Sequence, residues 1–317
     1  MKKALITGAA GFAGGFLIEH LLSQGDFDVV GTYLSEDQLK FAIQKDAVDF
    51  KKLDLLDFSA TTKLLKYSKP DYVFHLAALT SPSESFDNPS ETITNNITAQ
   101  VNLLEGIKKN DLGTKTLIIS SADIYGLVDI KDLPIDEETP LMPTNPYAVS
   151  KIAQDFLGLQ YFLSYGLKII RVRPFNHFGP RQSPRFVIPS FAKQIAEIEK
   201  GKKDNVIRVG NLSSKRDFTD VRDMMQAYLL AVEKGKVGDV YNIGSGVSHQ
   251  ISEILDMLLS LSNKKIDVEI DKSLLRPKDD PELVCDRSKF TKQTDWEPRI
   301  KIEKTLKDTL DYWRDIV

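Results

Sequence analysis

Ala4-Leu5-Ile6-Thr7-Gly8-Ala9-Ala10-Gly11-Phe12-Ala13-Gly14 decides the fold of this chain. Three apolar residues run into a glycine-punctuated turn, after which Phe16-Leu17-Ile18 and Leu21-Leu22 recur at helical spacing, ending near Gln24. The pattern is a buried strand feeding a helix. Its glycines permit a tight turn, let backbone N–H groups approach a pyrophosphate, and let helix and strand pack closely. The helix N-terminus adds partial positive charge at that point. A strand-to-helix turn with no ligand would use the same Gly8, Gly11 and Gly14, and their spacing is G-x-x-G-x-x-G rather than G-x-G-x-x-G. The strand–turn–helix context favours a nucleotide.

Further apolar runs read as strands buried on both faces: Val29-Val30-Gly31, Tyr72-Val73-Phe74, Thr116 to Ile119 and Lys168 to Val172. Helical stretches alternate with them, one carrying Val101, Leu103-Leu104 and Ile107. That alternation predicts an α/β fold, a doubly wound parallel sheet with right-handed crossovers. After Pro174 the rhythm changes. A loop rich in Pro, Gly and Arg (179–185) precedes a helix from Pro189 to Lys200. Val240 to Ile243 returns to the sheet, and helices follow over Ile251 to Leu261 and Ile302 to Val317. The expected division is a dinucleotide-binding domain of residues 1–173 plus about 213–243. A smaller, discontinuous lobe takes 174–212 plus about 244–317.

The 317 residues suffice for an ample core, and 42% hydrophobic with 27% charged residues is an ordinary globular balance. A net charge of −3 gives no electrostatic reason to expect nucleic acid or an anionic membrane as partner. Cys285 is the single cysteine, so no internal disulfide forms, and a cytoplasmic setting is expected. Four histidines with no cluster at ligand spacing argue against a metal site. The opening apolar run is too short for a secretory signal, and no stretch reaches the roughly 20 apolar residues of a membrane span.

The chemistry centres on Tyr147 and Lys151. Residues four apart share a helix face, so both can meet one ligand, and Pro146 suits the first helical turn. A phenol ordinarily titrates near 10, and a neighbouring cation is expected to lower that value toward neutrality. A surface Tyr-Lys pair would show the same spacing. The end of the preceding strand, Ile118-Ile119-Ser120-Ser121, supplies a hydroxyl partner, Ser121, where ligands bind in such sheets. Around the glycine loop, Asp54-Leu55 is placed to hold an adenine edge, and Leu76-Ala77-Ala78 offers small side chains against a cofactor. At the end of the second strand an acid would select NAD. Thr32 stands there instead, which leaves room for a 2′-phosphate and tilts the expectation toward NADP(H) over NAD(H).

Together Thr7 to Gly14, Asp54-Leu55, His75 to Ala78, Asn96, Ser121, Tyr125-Gly126, Asn145 to Lys151 and Arg173-Pro174-Phe175-Asn176 resemble the extended short-chain dehydrogenase/reductase family, over nearly the whole chain. Arg173 to Arg181, Phe186-Val187-Ile188 and Val209 to Phe218 are similar to its branch that handles GDP-linked 6-deoxyhexoses. The resemblance implies a Rossmann sheet, Ser121, Tyr147 and Lys151 as the catalytic set, and Phe12, Ala13, Asn96 and Pro174 as further cofactor contacts. It implies that Asp123 and Asn176 meet the sugar or phosphate and that Val187 lies near guanine. Lys193, Arg216 and Arg276 would neutralise the diphosphate, and Glu282 would hold a ribose. It also suggests a homodimer through helices near Asn96 to Lys108 and Tyr147 to Tyr165.

Within that family, 4,6-dehydratases use a glutamate after the catalytic serine or threonine. Here those positions hold Ala122 and Asp123, and the shorter acid loses reach. The expected activity is therefore reduction of the C4 ketone of a GDP-linked 4-keto-6-deoxyhexose. The alternatives are a dehydratase or 4-epimerase recycling bound NAD(P), and a non-catalytic NAD(P)-binding sensor.

Overall fold

The computed structural model describes residues 1–40, 42–275 and 280–317. In chain order, β1 (Lys2–Thr7), α1 (Phe12–Gln24), β2 (Phe27–Tyr33), α2 (Glu36–Lys40), β3 (Asp49–Lys52), α3 (Phe58–Ser68) and β4 (Tyr72–His75) form the first half of a wound sheet. It continues through α4 (Pro82–Asp87), α5 (Pro89–Lys109), β5 (Lys115–Ile119), α6 (Pro146–Tyr165) and β6 (Lys168–Pro174). Then follow β7 (Asn176–Phe178), α7 (Val187–Glu199), β8 (Val206–Val209), β9 (Lys215–Asp220), α8 (Val221–Lys234) and β10 (Val240–Ile243). The chain ends with β11 (Ser248–Gln250), α9 (Ile251–Ser260), β12 (Asp267–Ile270), β13 (Glu282–Leu283), α10 (Ser288–Thr294) and α11 (Ile302–Ile316).

Seven parallel strands run in the order β10-β6-β5-β4-β1-β2-β3. Alternation along each strand sends Ala4 and Ile6 to one face, with α1 and α8, and Leu5 to the other, with α3, α5 and α6. Both faces are covered, which is why these strands are apolar along their length. Strand order reverses between β1 and β4, and the crevice at their carboxyl ends is where such sheets bind ligands.

The smaller lobe is built on β11-β9-β13, with β7 alongside β9, and on the pair β12-β8. Its core joins Phe191 and Ile195 of α7, Ile254 and Leu258 of α9, and Leu306, Leu310 and Trp313 of α11. The division expected from sequence placed 213–243 with the large sheet. Within that stretch α8 and β10 lie there, whereas β9 pairs inside the small sheet. Phe290 and Trp296, grouped by sequence with the smaller lobe, are buried in the large core beside α8 and Tyr241. Among the described residues no helix is long and apolar enough to cross a membrane.

Candidate active site

Gly8 adopts φ +70°, a conformation that a side chain disfavours, and its N–H donates to the Thr32 hydroxyl at 3.3 Å. A Cβ on Gly14 would sit 2.4 Å from the Gly8 carbonyl oxygen, so the third glycine is fixed by helix-to-strand packing. Gly11 caps α1 with no side chain, and no acid occupies the first turn. The leading N–H groups of α1 therefore face the crevice unsatisfied by any side chain, a cradle suited to a pyrophosphate. From it opens a cleft of about 920 Å³ between the two lobes. Gly11, Phe12, Ala13, Gly14, Thr32, Asp54, Leu55, Leu76, Ala77, Ala78 and Pro174 all line it. Asp54 turns its carboxylate onto the Leu56 N–H at 2.9 Å, and Asn102 of α5 holds the Leu55 carbonyl at 2.8 Å.

Ser121 follows β5 directly and caps the short turn Ala122–Ile124, accepting from the Asp123 N–H at 3.2 Å. α6 starts at Pro146, capped by the Asn145 side chain on the Ala148 N–H at 2.8 Å. This places Tyr147 in its first turn, where the Tyr147 N–H donates to the Ser85 hydroxyl at 3.2 Å. Ser121 and Tyr147 both line the cleft, with the Ser121 hydroxyl near the phenol. Burial, reinforced by the charge of Asp123, pushes the Tyr147 phenol well above its ordinary value, with the nearby Ser121 hydroxyl opposing. Lys151 is buried and gives its ammonium to Gln154 Oε1 at 2.6 Å. Burial draws it down to about 7, opposed by the charge of Asp155 one turn on. The Tyr147 shift runs opposite to the lowering expected from Lys151: burial governs it, Lys151 is not among the groups acting on it, and the phenol is held protonated.

A buried ionic knot seats this helix. Asp155 receives Arg171 Nη1 at 2.6 Å and Arg173 Nε at 2.8 Å, and Arg173 reaches the Tyr125 hydroxyl at 2.9 Å. Tyr125 in turn donates to Asn242 of β10 at 2.7 Å. Asn96 departs from its expected role. Its amide is spent on Leu79 and on Ser150 Oγ, clamping the loop after β4 to α6, and it does not line the cleft.

On the sugar side, Asp123 of the large domain and Asn176, Val187 and Arg216 of the smaller lobe line the cleft together. Arg216 is nearly buried and donates to the Lys215 and Asp280 carbonyls, both at 2.8 Å. Two expected contacts lie elsewhere. Lys193, six residues past Val187 on another face of α7, sits 5.5 Å from the Trp313 ring and 3.8 Å from Glu197. Glu282 accepts from the Ser248 hydroxyl and pairs with Lys215 at 3.5 Å. Arg276 lies outside the described residues. Sequence reasoning missed Ser85, Gln154 and Tyr228, which touch the site from α4, α6 and α8. Only Gln154, one helical turn from Ser150 and next to the lysine face, left a readable signal.

Residues 5–309 match the family model described as GDP-mannose 4,6 dehydratase. The chain is 37% identical over 248 residues to GDP-6-deoxy-D-mannose reductase of Pseudomonas aeruginosa, covering 78% of this chain and 82% of that protein. A solved structure of RMD from Pseudomonas aeruginosa complexed with NADPH superposes with a TM-score of 0.88 at 33% identity, covering 100% of both chains. The Thermus thermophilus UDP-glucose 4-epimerase complex with NAD gives 0.87 at 28% identity, covering 99% of this chain and 100% of that one. On the breadth of these matches, and on a glycine cradle joined to a Ser121–Tyr147–Lys151 set, the chain belongs to the GDP-mannose 4,6-dehydratase family of extended short-chain dehydrogenases/reductases.

Proposed function

We propose that this protein reduces the C4 ketone of GDP-4-keto-6-deoxy-D-mannose, with NADPH favoured over NADH, to GDP-D-rhamnose or its C4 epimer. The observation that carries the reading is Tyr147, a phenol kept protonated by burial that lines the cleft together with Ser121, just past the end of β5, and Lys151. Reduction of a ketone needs a proton donor, whereas a reaction that begins by oxidising a hydroxyl needs a base. A bound nicotinamide cofactor supplies the hydride. Ser121 holds the ketone oxygen by a hydrogen bond, and Tyr147 delivers the proton to it as negative charge develops there. Lys151, on the same helix face, holds the nicotinamide ribose. Arg216 faces the diphosphate, Asn176 the sugar or phosphate, and Val187 the guanine. Arg276, outside the described residues, is proposed for the diphosphate by resemblance alone.

The NADPH preference is supported by the neutral end of the second strand and the loop after it, where Thr32, Tyr33, Leu34 and Gln38 line the cleft. The nearby acids are engaged elsewhere, Glu36 with Lys52 at 3.5 Å and Asp37 with Lys40 at 2.7 Å. Against 4,6-dehydration stand Ala122, which carries no acid, and Asp123, one methylene short of a glutamate.

Incubation with GDP-4-keto-6-deoxy-D-mannose and NADPH, followed by NMR of the sugar nucleotide, tests the reading. One external cofactor is consumed per product formed. Conversion of GDP-mannose with no net cofactor oxidation would place the protein among the dehydratases, and binding without turnover of any sugar nucleotide would make it a sensor.

A cytoplasmic homodimer is part of the same proposal. Val149, Phe156 and Leu163, seven residues apart on α6, are 44%, 49% and 69% exposed, and Ile93, Ile97 and Val101 of α5 are half-buried. Light scattering on Phe156→Glu should find a monomer where the unaltered protein is a dimer.

A further inference from the structure

Buried polar atoms in proteins are almost always paired, so an orphan facing a cleft points to what the cleft receives. Among the described residues, two buried side-chain atoms without a partner belong to residues that line the cleft: Gln182 Oε1 and the Tyr228 hydroxyl. The Gln182 amide already donates to the His177 carbonyl at 3.2 Å, so its side chain is anchored. Tyr228 has no such anchor. It stands in the middle of α8, 1% exposed, with its ring in the core between α1 and the sheet.

Its position along the cleft is given by its neighbours. α8 packs on β5 and β6, whose carboxyl ends lead to Ser121 and Pro174, so Tyr228 stands at the proton-transfer end of the cleft and away from the adenine end. Ile119, Ser120 and Pro174, at the ends of β5 and β6, line the same cleft. Burial holds the Tyr228 phenol above its ordinary value, so it remains a hydrogen-bond donor. On the reading of this cleft as a dinucleotide site, on which the inference rests, the ring beside Tyr147 is nicotinamide. The polar substituent of that ring is its carboxamide.

We infer that the Tyr228 hydroxyl donates a hydrogen bond to the carboxamide oxygen of the nicotinamide and thereby fixes which face of the ring meets the substrate. A flat ring can turn over about its glycosidic bond, and a donor on one wall favours one of the two orientations. Tyr228 is thus a positioning residue that reaches the cofactor from the core side of the sheet, opposite the helix that carries Tyr147.

The test compares Tyr228→Phe with the unaltered protein by calorimetric titration of NADPH and of 2′-phospho-ADP-ribose, which lacks nicotinamide. The variant should bind NADPH about fivefold more weakly, the effect of one hydrogen bond, and bind the nicotinamide-free probe equally well. Its melting temperature without ligand should be unchanged or higher, since a lone buried hydroxyl is removed. Equal NADPH affinity in the two proteins overturns the inference. So does an equal loss with both probes, or a lower melting temperature, which would mean that a protein group already pairs the hydroxyl. If the unaltered protein bound neither probe, the dinucleotide reading itself would fall.

Discussion

On the proposed reading Tyr147 is an acid at neutral pH, and its surroundings suit it to that role before any ligand arrives. Burial and the charge of Asp123 keep the proton on the phenol. Tyr147→Phe should therefore lower kcat by about 10²–10⁴-fold while leaving NADPH affinity nearly unchanged, measured by steady-state kinetics beside titration. Lys151 makes a second, thermodynamic prediction. Its folded value, about 7, lies below the ordinary lysine value of 10.5. Between those limits the unfolded chain binds the extra proton, so this site adds stability as pH rises from 7 toward 10.5, by up to about 1.4 kcal/mol per unit. Lys151→Met should be more stable at pH 7 and should lack that rise, which urea unfolding at pH 7 and 9 would detect. A slope identical to that of the unaltered protein would show that the ammonium is not desolvated as described.

At the scale of elements, α6 is aimed by its ends and its flank. Asn145 caps its start, and Asp155 ties its third turn to two arginines of β6. All three charges are nearly inaccessible, with side-chain exposures of 7%, 5% and 0%, so removing the acid strands two buried cations. Asp155→Ala should cost about 3–5 kcal/mol in urea unfolding. A cost near that of an exposed pair would mean that water reaches the knot. How well elements could be read from sequence follows their packing. β1, β5 and β6 are buried on both faces and announce themselves as apolar runs. β7, β11 and β13 are two or three residues long. They exist through distant bonds such as the Asp217 carboxylate on Ser245, Gly246 and Cys285, which leave no periodic trace. The same limit explains the site. Ser121 and Tyr147 declared themselves by sitting at a strand end and a helix start. Lys193 and Glu282 came by resemblance, and helix phase and strand pairing carried them to other partners. Tyr228 looked like any core aromatic.

The whole molecule works as two lobes held in register across the cleft. Arg181, at φ +72°, forks onto Glu19 of α1 at 3.0 and 2.7 Å, and its guanidinium lies 3.9 Å from the Phe16 ring. Phe12 stacks on His177, with ring centroids 6.3 Å apart. The helix that cradles the cofactor is thereby joined to the loop that carries Gln182 and Arg185 into the sugar side. A Glu19→Gln, Arg181→Gln double-mutant cycle should give a coupling of about 0.5–1 kcal/mol in stability, since the pair is half-exposed. If the loop orients substrate, as the proposed function has it, the double variant should raise the KM for the sugar nucleotide more than it lowers kcat. An effect confined to kcat would contradict this.

The wedging of Gly14 against the Gly8 carbonyl has an engineering consequence. The phosphate turn tolerates no added atom there, so engineering a coenzyme preference into this protein has to proceed from the rim, at Leu34 and Gln38, which line the cleft. The turn is common hardware for both coenzymes; the rim is where a designer can write a preference.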